Sequence, residues 1–280
     1  MGQKTIVGVT DAVASQRAVD WAAERAAARG DRLELISVLG DAVGVVGEGE
    51  VIYDALPLTR SLLEREAERV RALGVPVETR VGRGKPVEQL IEASKGAALL
   101  VIGSDYRGPE FGPARGPHGI QITAGAHCPV AVVPDLDLTG RSGVVVGVDG
   151  SEVSELAIAF AAAEAQRTGE QLTAAISWSP VAIPLSVRSY PEDYLQNMQT
   201  LTEETLAISI AGIAQMYPDL DVRRVVERSY SPDTVINRLA SHARLTVIGS
   251  HGHGRVARFI LGSTSQQVLA RLATTTVVAR

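Results

Sequence analysis

Short apolar runs rich in Val and Ile recur along the chain, separated by stretches with helical spacing. In the first half they fall at residues 5–9, 32–38, 77–81, 98–103 and 130–133. In the second half they fall at 144–148, 172–177, 222–226, 245–249 and 276–279. Runs this short and this β-branched predict buried strands. Between them, residues 152–168 put Val153, Leu156, Phe160 and Ala163 on one predicted helix face. Glu152 and Glu155 stand in its first turn, where the helix dipole favours acids. A longer helix is predicted over about 192–216, and another from Pro232, at its first turn, to about His242. Residues 266–272 read as a short amphipathic helix. The Gly- and Val-rich stretch 40–57 has no clear assignment. Strands alternating with helices predict a parallel, doubly wound sheet in each half.

The halves repeat each other. Val101-Ile102-Gly103-Ser104 matches Val247-Ile248-Gly249-Ser250, and the same offset pairs Pro86 with Pro232, Gly116 with Gly262, Gln121 with Gln267 and Val132 with Val278. A slightly different offset pairs Ile6-Val7-Gly8-Val9 with Val145-Val146-Gly147-Val148. One repeat at domain length is a tandem fold, since a solenoid has a shorter period. The polar stretch 135–143 reads as the linker, giving domains at 1–138 and 143–280.

Composition narrows this further. The chain is 45% apolar but only 4% aromatic, so both cores must be built from Ala, Val, Leu and Ile. A net charge of -5 argues against a nucleic-acid surface and against docking on anionic lipid. The single cysteine, Cys128, excludes an intrachain disulfide and reads as a buried structural thiol. Residues 1–9 contain no signal-peptide core, and Ile6 breaks the myristoylation pattern. The longest apolar runs, such as 97–102, are too short to span a bilayer. The expectation is a soluble cytoplasmic protein.

The chemistry concentrates near the C-terminus. Gly249-Ser250-His251-Gly252 is followed by nine residues and then Gly262-Ser263-Thr264-Ser265. A strand precedes this loop and a helix follows it. Glycines let backbone approach an anion closely, and the orphan N–H groups of a helix N-terminus face it. Hydroxyls of Ser263, Thr264 and Ser265 add donors. The alternative is that the glycines only make turns and Asp149 only caps a helix.

The spacing G-x2-G-x9-G-[ST] resembles the ATP-binding signature of the universal stress protein family, and the resemblance covers nearly the whole chain. It implies two tandem α/β domains of Rossmann-like, adenine-nucleotide alpha hydrolase-like architecture, each with a five-stranded parallel sheet flanked by helices. It implies ATP at the carboxyl ends of the strands. The loop Val148-Asp149 would then lie near the adenosine, and backbone at Ile176-Ser177 would border the adenine. Gly249, Gly252, Gly262, Ser263, Thr264 and Ser265 would cradle the phosphates, with Mg accompanying the triphosphate. Arg255 and Arg258 lie within the loop as candidate phosphate cations. His251 and His253 read as loop residues and not as metal ligands.

The first half departs from the pattern. Thr10 stands where Asp149 stands, Tyr106 replaces Gly252, and Pro117 replaces Ser263, removing a hydroxyl and an N–H. Asp11, one place on from Thr10, cannot repair the loop. The first half is therefore expected to bind ATP weakly or not at all and to serve as a structural or docking partner.

Other motifs are weak or missing. Gly252 to Ala257 formally fits G-x-G-x-x-A but lacks the second strand and its acid. Walker A, G-x-S-x-G, H-E-x-x-H and paired-cysteine patterns are absent. No catalytic residue is assigned. The leading expectation is an ATP-binding regulator in stress response, with little or no hydrolysis and an unidentified protein partner. A slow ATPase and an interaction module with vestigial loops are the alternatives. The resemblance also implies that the last strands of the two halves pair as an intrachain pseudo-dimer; further homodimerisation is left open.

Overall fold

The computed structural model describes residues 2–40, 48–112, 118–181, 189–252 and 260–280, with backbone alone for 48–54 and 109. His253, Arg255, Arg258, Gly116 and Pro117 lie outside the described residues. The chain divides into two compact units, the first built on Met1–Leu136 and the second on Asp137–Ala257 with Leu261–Arg280.

The first unit runs β1 (Lys4–Gly8), α1 (Val13–Arg29), β2 (Arg32–Leu39), α2 (Glu48–Ala72), β3 (Val77–Arg83), α3 (Pro86–Ala93), β4 (Leu99–Ser104), α4 (His118–Gly125) and β5 (Val130–Pro134). The second repeats the order with β6 (Val144–Gly147), α5 (Glu152–Thr168), β7 (Leu172–Trp178), α6 (Glu192–Met216), β8 (Val222–Arg228), α7 (Pro232–Ala240), β9 (Leu245–Gly249), α8 (Ser263–Ala270) and β10 (Thr275–Ala279). Within the first unit the strands lie in the order β3-β2-β1-β4-β5, and within the second β10-β9-β6-β7-β8. Neighbours within each set are parallel. This is the doubly wound arrangement that the alternating runs predict.

The inner strands are sealed on both faces. Ile6, Val7, Leu100, Val101, Val146 and Val247 have no measurable exposure. The outer strands β3 and β8 instead carry charge, with Glu78 and Arg80 on one and Arg223, Arg224, Glu227 and Arg228 on the other. Charged edges discourage strand addition. Each first helix ends on a left-handed glycine, Gly30 at φ 67° and Gly169 at φ 65°, where a side chain would be strained.

Two helices differ from the sequence reading. The buried face of α5 is Ala157, Ile158, Ala161, Ala162 and Ala165, while Leu156 is 49% exposed and Val153, Phe160 and Ala163 are only half-buried. The helix lies close on the sheet, and small side chains permit that spacing where a Leu/Phe face would hold it away. α8 begins at Ser263 and not at Gln266, because the helix runs back to Gly262. The buried Glu164, also on α5, is held by Arg167 through Nε at 2.9 Å and Nη2 at 2.8 Å, which compensates its desolvation.

Glu34, on β2, accepts from Lys4 Nζ at 3.0 Å and from Arg80 Nε at 2.5 Å. Burial by itself would raise its carboxyl pKa; the Arg80 and Lys4 hydrogen bonds and charges outweigh that and hold it below the ordinary 4.5. A depressed folded pKa stabilises fully above the unfolded value, and that contribution is lost as pH falls through the folded one. Glu34→Gln is expected to lower stability at neutral pH by about 0.5–1 kcal/mol after allowance for solvent screening. The gap from the unsubstituted protein should close in acid. Urea unfolding followed by circular dichroism at both pH values checks this.

Candidate functional site

In the second unit the strand order reverses between β6 and β9. Their pairing ends at Val146↔Val247, and beyond it the two chains part, leaving a crevice at the carboxyl ends of the strands. A cavity of about 440 Å³ opens there, within the usual range for small-molecule sites. All nine residues singled out in the sequence, Val148, Asp149, Ser177, Gly249, Gly252, Gly262, Ser263, Thr264 and Ser265, line it.

The cavity is two-faced. One side is apolar, formed by Val148, Ala175, Ile176, Val235, Ile236 and Ile248. The other is polar, formed by the β9 loop and the start of α8. Gly262 is the N-cap residue of α8 and supplies no side-chain cap, and the first turn of the helix has no acid. Among the described residues the first N–H groups of α8 have no side-chain cap, and they stand at the positive end of the helix dipole beside the cavity.

Close backbone approach explains the glycines. A Cβ on Gly252 would run into Asp149 Oδ2. On Gly262 it would press on the His251 Cα at 3.2 Å, and on Gly249 on Val153 Cγ1 at 3.1 Å. Gly262 N–H donates to Ser250 O at 2.8 Å, and Ser250 N–H to Ala279 O at 2.9 Å, so the loop is tied to the sheet.

Asp149 shapes the turn after β6. Its Oδ1 accepts from Ser151 N at 3.0 Å and from Ser151 Oγ at 2.6 Å. Ser151 Oγ in turn accepts from Ser154 N at 3.2 Å and caps α5. Ser154 Oγ accepts from Asp149 N at 3.3 Å, closing a ring of three side chains. Asp149 thus holds up the start of α5 while its second oxygen is turned to Gly252.

The hydroxyls divide into two kinds. Ser265 Oγ donates to Gly249 O at 2.7 Å, so its proton is used inside the protein; this corrects the expectation of a free donor there. Ser177 Oγ is buried without a hydrogen-bond partner although it lines the cavity. A buried unpaired hydroxyl is unfavourable unless a ligand or water satisfies it. His251 also lines the cavity, its Nδ1 at 3.0 Å from Ser250 Oγ.

Sequence reasoning missed several contributors. Ser151 and Ser154 organise Asp149, and their signal was the Asp-x-Ser-x-x-Ser spacing after a strand. Pro232, Val235 and Ile236 bring the start of α7 into the apolar wall. Gly147 admits Ile236, whose Cδ1 lies 2.8 Å from where a Cβ would sit.

A model of the Universal stress protein family matches residues 1–134 and again 141–280. The chain belongs to the universal stress protein family. Universal stress protein Rv2623 of Mycobacterium tuberculosis is 32% identical to it over 295 residues, covering 98% of this chain and 95% of that protein. Universal stress protein Mb2028c of Mycobacterium bovis is 32% identical over 294 residues, covering 98% and 96%. The crystal structure of a universal stress protein from Archaeoglobus fulgidus superposes with a TM-score of 0.73 at 18% identity, covering 99% of this chain and 98% of that one. That likeness concerns the fold. The sequence repeat is thus two copies of the universal stress protein domain.

The first copy keeps the frame of the site and changes its lining. Thr10 N–H donates to Ser15 Oγ at 2.8 Å, as Asp149 N–H does to Ser154 Oγ. A Cβ on Gly103 would run into the Ala14 carbonyl at 2.6 Å. Tyr106, at the place of Gly252, is 5% exposed and fills space with its ring.

Ser151→Ala removes the α5 cap and the hydroxyl contact to Asp149 Oδ1, leaving the one from the Ser151 backbone N–H. It is expected to destabilise the second domain by about 1–2 kcal/mol. Denaturant unfolding should show the lower midpoint, and Ser151→Thr should restore most of it.

Proposed function

We propose that the second domain binds ATP, accompanied by Mg²⁺, and that the protein acts as a nucleotide-dependent regulator in stress response with little or no hydrolysis. The observation that carries this reading is the convergence of the nine residues on one cavity with an apolar wall at one side and an uncapped helix N-terminus at the other. That is the pattern a nucleotide requires, because its base is flat and largely apolar while its phosphates need N–H donors.

The residues suit the parts of the ligand. Ile176, Val148 and Val235 offer an apolar slot for adenine, and the partnerless Ser177 Oγ offers it a polar contact. The Asp149 carboxylate suits a sugar hydroxyl and would repel phosphate, which keeps the triphosphate at the α8 side. Gly249, Gly252 and Gly262 leave room for phosphate oxygens, and Ser263 and Thr264 bring hydroxyls to the same end. Among the described residues no three His, Cys, Asp or Glu side chains gather as a metal site. Mg²⁺ would therefore be held chiefly by the phosphate oxygens themselves.

Binding without turnover is favoured because no general base is evident among the described cavity residues. His251 has a serine hydroxyl, and not a carboxylate, at its Nδ1. The tyrosine in place of Gly252 supports a first domain that binds nucleotide weakly or not at all.

Purified protein, denatured and assayed by mass spectrometry, is expected to release about one adenine nucleotide per chain, or to bind Mg-ATP on titration. Gly252→Tyr, copying the first domain, should abolish both by displacing Asp149. Retention of nucleotide in that variant would overturn the assignment of the site. Steady phosphate release that disappears in Gly252→Tyr would instead identify an ATPase.

A further inference from the structure

We propose that the second unit holds another small-molecule site, at the opposite ends of its strands from the nucleotide cavity, and that its ligand is a phosphate monoester on a small polyhydroxylated body, as in a sugar phosphate. The inference does not depend on nucleotide binding. A cavity of about 530 Å³ opens at the amino ends of β6, β7 and β8, under the end of α7. That volume suits a small organic molecule and exceeds what a bare ion needs.

Sheet register fixes which side chains face it. Gly147 lies against α7, since a Cβ there would sit 2.8 Å from Ile236 Cδ1. Residues two places apart on a strand share a face, and register neighbours in parallel strands do too. Val145, two places before Gly147, is the register neighbour of Thr173, and Thr173 of Arg223. All three therefore point to the α7 side, and all three line the cavity. Arg238 and His242 line it from α7 and the turn that follows.

The lining is cationic and in part unsatisfied. Among the described residues the Arg223 side chain has no hydrogen bond or ion pair. Thr173 is only 9% exposed, and its hydroxyl likewise has no partner among them. A buried hydroxyl left in this state calls for a ligand or water. Arg238 shares its charge with Glu227 and stacks 5.5 Å over the Tyr230 ring, which holds its guanidinium in place. The carboxylate in the lining, Glu170, is already engaged: its Oε2 accepts from Gly143 N at 2.7 Å and its Oε1 from Arg244 Nε at 2.7 Å.

The first unit supplies an internal control. The matching row there is Ile6, Glu34 and Glu78. Glu34 stands at the place of Thr173 and Glu78 at that of Arg223, and the offset that pairs Pro86 with Pro232 puts Glu92 at that of Arg238. The Glu34 carboxylate is held by Lys4 and Arg80. The first unit thus meets its cations with an acid of its own. The second carries a hydroxyl and two arginines at these three places, so the anion has to come from outside.

The chemistry of the lining selects the ligand. Guanidinium forks match phosphate and carboxylate oxygens two at a time. Two arginines favour a dianionic group, and a phosphate monoester carries nearly two charges at neutral pH. On the β6 side Glu170 accepts hydroxyl hydrogens but repels a second anionic group. One phosphate on a hydroxyl-bearing body meets both demands, and a di- or tricarboxylate does not.

Isothermal titration calorimetry with glucose 6-phosphate in about 50 mM salt is expected to show one site per chain, with a dissociation constant on the order of 0.1 mM. Inorganic phosphate should bind about tenfold more weakly or less. Arg223→Glu, which copies Glu78, should weaken glucose 6-phosphate about tenfold or more with unchanged circular dichroism, because the side chain it replaces is exposed and unpaired. Thr173→Val, which keeps the shape and removes the hydroxyl, should weaken it about threefold. Arg224 neighbours Ala174 on the opposite face of β8, so Arg224→Glu makes the same charge change and should leave the affinity as it was. Titration with Mg-ATP should give the same result for Arg223→Glu as for the unsubstituted protein, so a failure of the nucleotide reading is seen separately. No saturable binding of glucose 6-phosphate up to about 10 mM overturns the proposal. So does equal weakening by Arg223→Glu and Arg224→Glu, which would mean a diffuse surface field, or inorganic phosphate that binds as tightly as glucose 6-phosphate.

Discussion

The candidate site depends on the point at which β6 and β9 cease to be partners. Up to Val146 and Val247 their backbones satisfy each other, and the strands are sealed by apolar side chains on both faces. Beyond it β6 follows β7 as far as Gly147↔Ala175, and β9 follows β10 as far as Gly249↔Ala279. The gap between them is fixed by sheet order alone, before any loop residue is chosen. Polar groups that emerge there must find partners in turns, helix ends, water or ligand, because no further strand is available.

The loops answer that need in two ways. After β6, Asp149, Ser151 and Ser154 bond to one another and to backbone, so the turn is self-sufficient. After β9, the backbone is held by Gly262 N–H and Ser265 Oγ, while the first turn of α8 has no side-chain acceptor among the described residues. The first arrangement makes a rigid rim and the second an electropositive opening. Gly252 joins them, since any side chain there would push the Asp149 carboxylate aside. One constraint thus links a strand end and a loop about a hundred residues apart in sequence.

Much of this was legible in the sequence. Strands sealed on both faces are written as uninterrupted apolar runs, and all ten runs became strands with ends displaced by two residues or fewer. The glycines that line the cavity were legible because glycine at fixed spacing is a demand for close approach. Helix faces were harder. Judging α5 by its large side chains selected Leu156 and Phe160, whereas contact distance to the sheet selects alanine. Ser265 looked like a donor to ligand because sequence shows a hydroxyl but not its direction. The contribution of α7 was invisible, since nothing in the sequence distinguishes Val235 and Ile236 from core residues. The apolar wall of a cavity and the core of a domain use the same residues.

The hydrogen bond from Thr10 N–H to Ser15 Oγ in the first domain shows what the turn itself requires. It reproduces the backbone clamp of the second domain without the carboxylate or the loop glycine. The turn is therefore maintained for folding and is indifferent to what lies in front of it. Chemistry at this position can be lost or regained by exchanging a few side chains on an intact frame. A duplicated chain can thus hold the same turn in both halves while only one half keeps an open cavity in front of it.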